Sequence, residues 1–387
     1  MTIGWKKILK SSGIVAGSLV LFVAVAGPLF VHCSPQFGAA PTEAQKLEYA
    51  KTGHYEAGVF TNPEPFQLKI DCHSLGAMMR ELLEPDPNLA PPVNVDVVPV
   101  DAKGVGQLGV DQTRITWLGH SSFIVELQGL VLLLDPVFGP YPAPVPIPGR
   151  RRYSNEVPIE LDEIPRVDAV VISHDHYDHL EYGTIAKLRE RARFFLVPLG
   201  VGNHLRYWGV DDDRIRELDW WEETRVDDLE VVLTPSRHMS GRGFNDQAAT
   251  LWGSWVLVGA RHRVYFSGDG GYGGHFAEIG AKYGPFDVGL MECGQYNDLW
   301  RGVHMTPEET ALAGRDVRAS WIMPIHWGAF SLAAHAWTDP VERLVRAGRE
   351  LGLPVVTPRI GESVTVGDDE KPVAPWWERY GRRQDPH

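Results

Sequence analysis

Sequence patterning predicts an α/β protein in which sheet packs on sheet with helices on the outside. Short strand-like apolar runs fall into two groups, and helical segments follow the strands of each. Composition agrees: of 387 residues 44% are hydrophobic and 22% charged, with 40 Gly and 13 Trp, which describes a packed, loop-rich chain and excludes a disordered one.

Taken in order, residues 1–33 read as a membrane anchor or signal segment. Trp5, Lys6, Lys7 and Lys10 precede Ser11–Val31, which has no ionisable side chain. About twenty such residues at ~1.5 Å rise span a ~30 Å hydrocarbon core. The lysines hold the N-terminus in the cytoplasm by the positive-inside rule, so the expected arrangement is an uncleaved anchor with the main domain outside, in a periplasmic or other extracytoplasmic space. The competing readings are a cleaved signal peptide, a lipoprotein site at Cys33 (with His32 a poor preceding residue) and a buried core helix. Residues 34–112 are polar and punctuated by Glu84-Pro85-Asp86-Pro87 and Pro91-Pro92, and read as a linker and N-terminal extension packed on the main domain, 113–387.

From Arg114 the grammar becomes that of strands. RITWLGHSSFIVELQGLVLLLDP reads as three short strands with a Gln128-Gly129 hairpin turn, and Asp168–Ser173 as a buried strand. Glu181–Ala192 has helical spacing, and RFFLVP follows as a strand. LEVVLTP, LWGSWVLVG and HRVYFSGD are strands about a turn at Ala260-Arg261, His275–Lys282 a helix and DVGLMEC a strand. Thr306 and Glu309 form a capping box for a helix running to about Arg318. IMPIH is a strand and Pro340–Leu351 a helix.

The densest chemistry lies in His174-Asp175-His176-Tyr177-Asp178-His179, directly after an apolar strand. Imidazole and carboxylate are the ligands Zn(II) accepts, and three His with two Asp in six residues form a costly cluster without a cation. Asp175 and Tyr177 alternate outward and are not expected to be ligands. One loop cannot complete two tetrahedral sites, and three later strands each end in a suitable residue: His238, Asp269 and His326. Each alone reads as a satisfied polar residue; their shared position past an apolar strand reverses that reading. Gly268, Gly270 and Gly271 permit the tight turn and close approach that Asp269 needs.

These residues carry a resemblance. The chain resembles the metallo-β-lactamase superfamily, whose HxHxDH loop is followed by a His, a bridging Asp and a final His. Through WLGHSSFIVEL, LLLDPVF, VDAVVISHDHYDHL, YFSGDGGY, HMTPEE and MPIHWGAF, over roughly residues 113–345, it is similar to the branch containing N-acylphosphatidylethanolamine-hydrolysing phospholipase D. The resemblance implies an αββα sandwich with two Zn(II) ions at the sheet edge. His174, His176 and His238 would hold one ion, Asp178, His179 and His326 the other, and Asp269 both. It also implies that His120 and His304 lie beside the metals, with His304 facing the substrate headgroup. For His120, a hydrogen bond to the backbone is an equally open reading. Asp135 in LLLDP reads as a supporting or turn carboxylate, and Arg150-Arg151-Arg152 as either a phosphate receptor or a solvated loop.

The implied activity is a phosphodiesterase of the phospholipase D type acting on a phospholipid at the membrane. Asp178 or Asp269 would pass the proton to the leaving group, and His304 would act as a catalytic contact. A lactonase or thioesterase shares the same metal set. A catalytically silent, zinc-stabilised membrane scaffold is the reading from a different class. A net charge of −13 and the lack of a long basic insertion count against nucleic acid as a partner. Cys33, Cys72 and Cys293, with no CxxC pair, imply neither a disulfide framework nor a thiolate zinc knuckle.

Overall fold

Leu130–Leu134 is five consecutive aliphatic residues, all buried, and its alternate side chains enter different cores. Leu132 and Leu134 face the centre of the molecule, Leu133 the outside of the sheet. A strand covered on both faces has no need of polar alternation, which is why this run and Ala169–Ile172 read as continuous apolar stretches. In the computed structural model, which describes residues 26–64, 72–243 and 245–381, such strands build two sheets face to face.

The first sheet has seven strands, ordered Ser363–Thr365, Thr113–Gly119, Ser122–Leu127, Leu130–Leu134, Val167–Val171, Ala192–Pro198 and Ile215–Leu218. The second has six, ordered Ile322–Ile325, Val288–Glu292, Arg263–Phe266, Ser254–Val258, Leu229–Thr234 and Glu223–Val226. Between them lies a core that includes Trp117, Phe123, Val231, Leu233, Trp255 and Phe266. Outside the first sheet, Ile185 and Leu188 of helix Tyr182–Leu188 and Leu205 of helix Gly202–Tyr207 cover Ile124, Leu133 and Val170. Outside the second, helices His275–Tyr283, Pro307–Asp316 and Asp339–Leu351 cover Val232, Val256 and Tyr265. This is the αββα order expected.

The predicted hairpin forms at Gln128-Gly129, with φ of 55° and 75°, the two left-handed residues that match strand twist. The capping box at Thr306 forms with both reciprocal bonds. Two boundaries differ. The helix expected over Glu181–Ala192 spans only Tyr182–Leu188, because Ala192 already opens a strand paired with Val167. The strand expected from Leu251 begins at Ser254, because the Leu251 and Gly253 amides bond instead to the carbonyls of Leu199 and Ser173, just past two strands of the other sheet.

The described part of residues 34–112 is fastened to the body, with Val95 and Val105 buried. Most of the apolar run Ser11–Val31 lies outside the described residues. Among the described residues no helix is long and apolar enough to cross a membrane.

Candidate metal centre

Strand direction gathers the site. Leu130–Leu134 and Val167–Val171 are parallel, as are Arg263–Phe266, Val288–Glu292 and Ile322–Ile325. Thr113–Gly119 and Leu229–Thr234 are each two antiparallel steps removed from these. Their C-terminal ends therefore share one edge, and every predicted site residue follows one of them.

Two donor sets form there. His174, His176 and His238 present ligand atoms within 4.8 Å of one another, and so do His120, Asp178, His179 and His326. Asp269 stands between the sets. Its Oδ2 is 4.0 Å from His174 Nε2 and 3.9 Å from His238 Nε2 on one side, and 3.1 Å from His179 Nε2 on the other. Its Oδ1 is 3.2 Å from His326 Nδ1.

The donors fit a cation. His179 Nε2, His326 Nδ1 and Asp269 Oδ1 are buried without a hydrogen-bond partner, a rare and costly condition in an otherwise satisfied interior. Electrostatics agree. Burial, joined by the neighbouring rings of His179, His176 and His238, holds His174 well below its ordinary value. Burial also lowers His179, but the carboxylates of Asp269, Asp178 and Asp135 outweigh it and raise that ring well above the usual range. Burial would raise Asp178 and Asp269; the surrounding rings, His179 foremost, instead hold both well below the usual carboxylate range. Negative charge is thus concentrated where positive charge is wanted.

The supporting residues are distributed through the fold. Asp135 is fully buried; Oδ1 accepts from Ser173 N at 2.7 Å, and Oδ2 meets Ser173 Oγ at 2.5 Å and His179 Nδ1 at 2.6 Å. It therefore orients a donor ring, as a carboxylate behind a histidine ligand does. His120 Nε2 lies 2.8 Å from Asp178 Oδ2, while its carbonyl accepts from Trp117 Nε1 and His326 N, so the ring meets a site carboxylate rather than a strand backbone. His120, Asp135 and His326 have φ of 55°, 37° and 65°. Non-glycine residues hold this conformation only where surroundings over-determine it, at about 1–3 kcal/mol each.

Three readings are corrected. Asp175 does not point outward: it is buried, accepting from Gly241 N at 2.7 Å and Thr250 Oγ1 at 2.9 Å, with His204 Nε2 at 3.2 Å. Of the run Arg150-Arg151-Arg152, only Arg151 is exposed, and Arg152 does not lie in a solvated loop. It is buried, donates to Val137 O at 2.7 Å and stacks over Phe330. Among the three glycines, Gly268 has φ of 55° and Gly271 abuts the Gly302 backbone, but Gly270 is in ordinary contact only.

Two supporting residues gave no signal by motif. Asn62, from the N-terminal extension, brackets His238 by donating to its carbonyl at 2.7 Å and accepting from its amide at 3.0 Å. Glu292 ends its strand fully buried, with Oε1 3.1 Å from His304 Nδ1. Burial pushes its carboxyl up to about 7. A charged residue closing an apolar strand was the available clue.

Gly294 is a further constraint, since a Cβ there would stand 2.0 Å from His326 O. Gly294→Ala is expected to lower stability by about 1–3 kcal/mol, as overpacking does, and to displace the His326 turn. Thermal unfolding with metal analysis checks this; an unchanged Tm and metal content would refute it.

Fold and site together define a metal-dependent hydrolase. Residues 131–327 match the beta-lactamase superfamily domain. A protein of Mycobacterium tuberculosis is 40% identical over 354 residues, 90% of this chain and 93% of that one. The N-acyl-phosphatidylethanolamine-hydrolyzing phospholipase D 1 of Caenorhabditis elegans is 31% identical over 271 residues, 65% of this chain and 76% of the relative. Igni18, a metallo hydrolase of Ignicoccus hospitalis, has the same fold, with a TM-score of 0.52 at 24% identity over 67% of this chain and all of that one. The chain belongs to the metallo-β-lactamase superfamily, in the branch that contains N-acylphosphatidylethanolamine-hydrolysing phospholipase D.

Proposed function

We propose that this protein is a membrane-tethered phosphodiesterase of the phospholipase D type, acting on N-acylphosphatidylethanolamine-like phospholipids with two Zn(II) ions. The observation that carries it is the placement of Asp269 between two complete donor sets, in a chain similar to an enzyme of that name. His174, His176 and His238 would hold one ion, Asp178, His179 and His326 the second, and Asp269 both. Such a pair supplies an ionised water near neutral pH and positive charge opposite the phosphoryl oxygens.

The chain's own groups do the rest. Asp135 and His120 hold His179 and Asp178 in place. Asp178 or Asp269 carries the proton from the attacking water to the leaving oxygen, so that a P–O bond forms to water and another breaks. The products are phosphatidic acid and a free N-acylethanolamine. His304 meets the substrate from a cavity of about 450 Å³ whose wall includes Tyr296, Asn297, Arg301, Thr306 and His335.

Tethering rests on the uncharged run Ser11–Val31 and the lysines before it. The next segment is short and bound to the body: Trp208 Nε1 donates to Pro35 O at 2.6 Å and Ala39 N to His204 Nδ1 at 3.0 Å. The domain would stand directly at the membrane, on its extracytoplasmic side. Purified full-length protein should release phosphatidic acid from N-acylphosphatidylethanolamine vesicles and stop on chelation. Hydrolysis of lactones or thioesters without phosphatidic acid release would replace this reading by an acyl hydrolase.

A further inference from the structure

His304 belongs to neither of the two donor sets assigned to the ions, although its ring offers a donor atom within 4.8 Å of donors from His238 and Asp269, and one within 4.8 Å of donors from Glu292 and His326. Its Nδ1 lies 3.1 Å from Glu292 Oε1. The ring stacks on His326, with centroids 5.1 Å apart and planes 8° from parallel, and meets His238 edge-on at 5.1 Å. It is also partly open, with 14% of its side chain exposed, whereas Glu292 has no exposed surface. One side of the ring therefore faces a buried carboxylate and the other the cavity lined by Tyr296, Asn297 and Arg301.

Glu292 is itself held on every side. It closes the strand Val288–Glu292, which lies between the strands delivering Asp269 and His326 and is paired through Glu292 with Ile325. Its amide donates to Ser267 Oγ at 2.9 Å, its carbonyl accepts from Thr310 Oγ1 at 2.7 Å, and Oε2 accepts from Met305 N at 2.9 Å. Only Oε1 remains, and it faces His304. A carboxylate clamped this firmly sets the orientation of the ring it binds, and a hydrogen bond at one imidazole nitrogen determines which nitrogen is presented elsewhere.

We propose that Glu292 is a positioning residue for His304: it holds Nδ1–H and turns Nε2 toward the reacting group of the substrate. Neither the HxHxDH loop nor the ligand set that follows it includes this residue. The inference rests on the hydrolase reading of the metal centre but not on the choice of phosphoester over acyl ester.

A double-mutant cycle of Glu292→Gln and His304→Ala tests it, using the full-length protein and whichever of bis(4-nitrophenyl) phosphate, N-acylphosphatidylethanolamine vesicles, a lactone or a thioester the wild type hydrolyses. Glu292→Gln is expected to lower kcat by about 10–100-fold with KM little changed, taking the range for removal of a hydrogen-bond partner of a metal-ligating histidine as the scale. Metal content should remain at the wild-type level. In the His304→Ala background the same substitution should have almost no further effect, because residues acting as one unit are not additive. An equal loss in both backgrounds makes Glu292 merely structural and overturns the proposal. Nitrogen-15 spectra of histidine-labelled protein give an answer independent of substrate: His304 Nδ1 should carry the proton in the wild type and lose that preference in Glu292→Gln. An unchanged His304 signal overturns the proposal even if no ester in the panel is cleaved, whereas hydrolysis of acyl esters alone removes only the phosphodiesterase reading.

Discussion

Asp269→Ala is expected to reduce turnover of any ester the wild type hydrolyses by about 10³-fold or more, from the several kcal/mol of transition-state stabilisation that a bound metal contributes. Among the described residues no other carboxylate lies within 4.0 Å of ring nitrogens from both donor sets; Asp269 reaches His174, His238, His179 and His326. Its removal leaves four rings facing one another without the carboxylate between them. Asp269→Asn keeps the volume and removes the charge, and should lose nearly as much if the carboxylate holds the cations. Metal content measured with kcat decides the matter. A variant that retains full metal and activity within a few-fold would end the two-set reading of the site.

Arg242→Met should produce the largest loss of stability, about 3–5 kcal/mol. The guanidinium is 3% exposed and fans across three carbonyls. Nε and Nη2 donate to Gln36 O at 3.0 and 2.7 Å, and Nη1 donates to Leu180 O at 2.8 Å and to Asp175 O. Its plane lies over Tyr177 and Trp208 at 4.1 and 5.2 Å from their ring centroids. Leaving buried acceptors unpaired costs about 1–3 kcal/mol each, and methionine restores the stem without the donors. Because Asp175 lies in the metal loop, Leu180 follows it directly and Gln36 follows the apolar N-terminal run, the loss should be felt at both the loop and that segment. The denaturant midpoint should fall, and the segment around Gln36 should become sensitive to protease. An unchanged midpoint would show that water replaces the guanidinium without cost.

Legibility followed the range over which each feature is encoded. The Gln128-Gly129 hairpin and the Thr306–Glu309 box are each written within a few consecutive residues and formed as read, and the His174–His179 loop presents its four expected donors while Asp175 turns inward. His238, Asp269 and His326 were legible from their position at strand ends, because strands of one direction must deliver their ends to one edge. The short outer strands Ile215–Leu218, Glu223–Val226 and Ser363–Thr365 were not foreseen. They are mixed in burial, with no clean alternation, and exist because a neighbouring strand offers a ladder.

The sequence by itself determined the donor types, their order along the chain and the apolar strands that carry them, since ligand chemistry and period-two burial are local properties. Tertiary structure alone decided which groups support those donors. Asp175 turned from the surface to Gly241 and Thr250, Arg152 from a candidate phosphate receptor to a buried brace on Val137, and Arg242 became a clasp on Gln36. Glu292 acquired His304, and Asn62 acquired His238. Each of these is a buried polar group that must find a partner, and the partner is chosen by packing across the sheet edge rather than by neighbours in the chain.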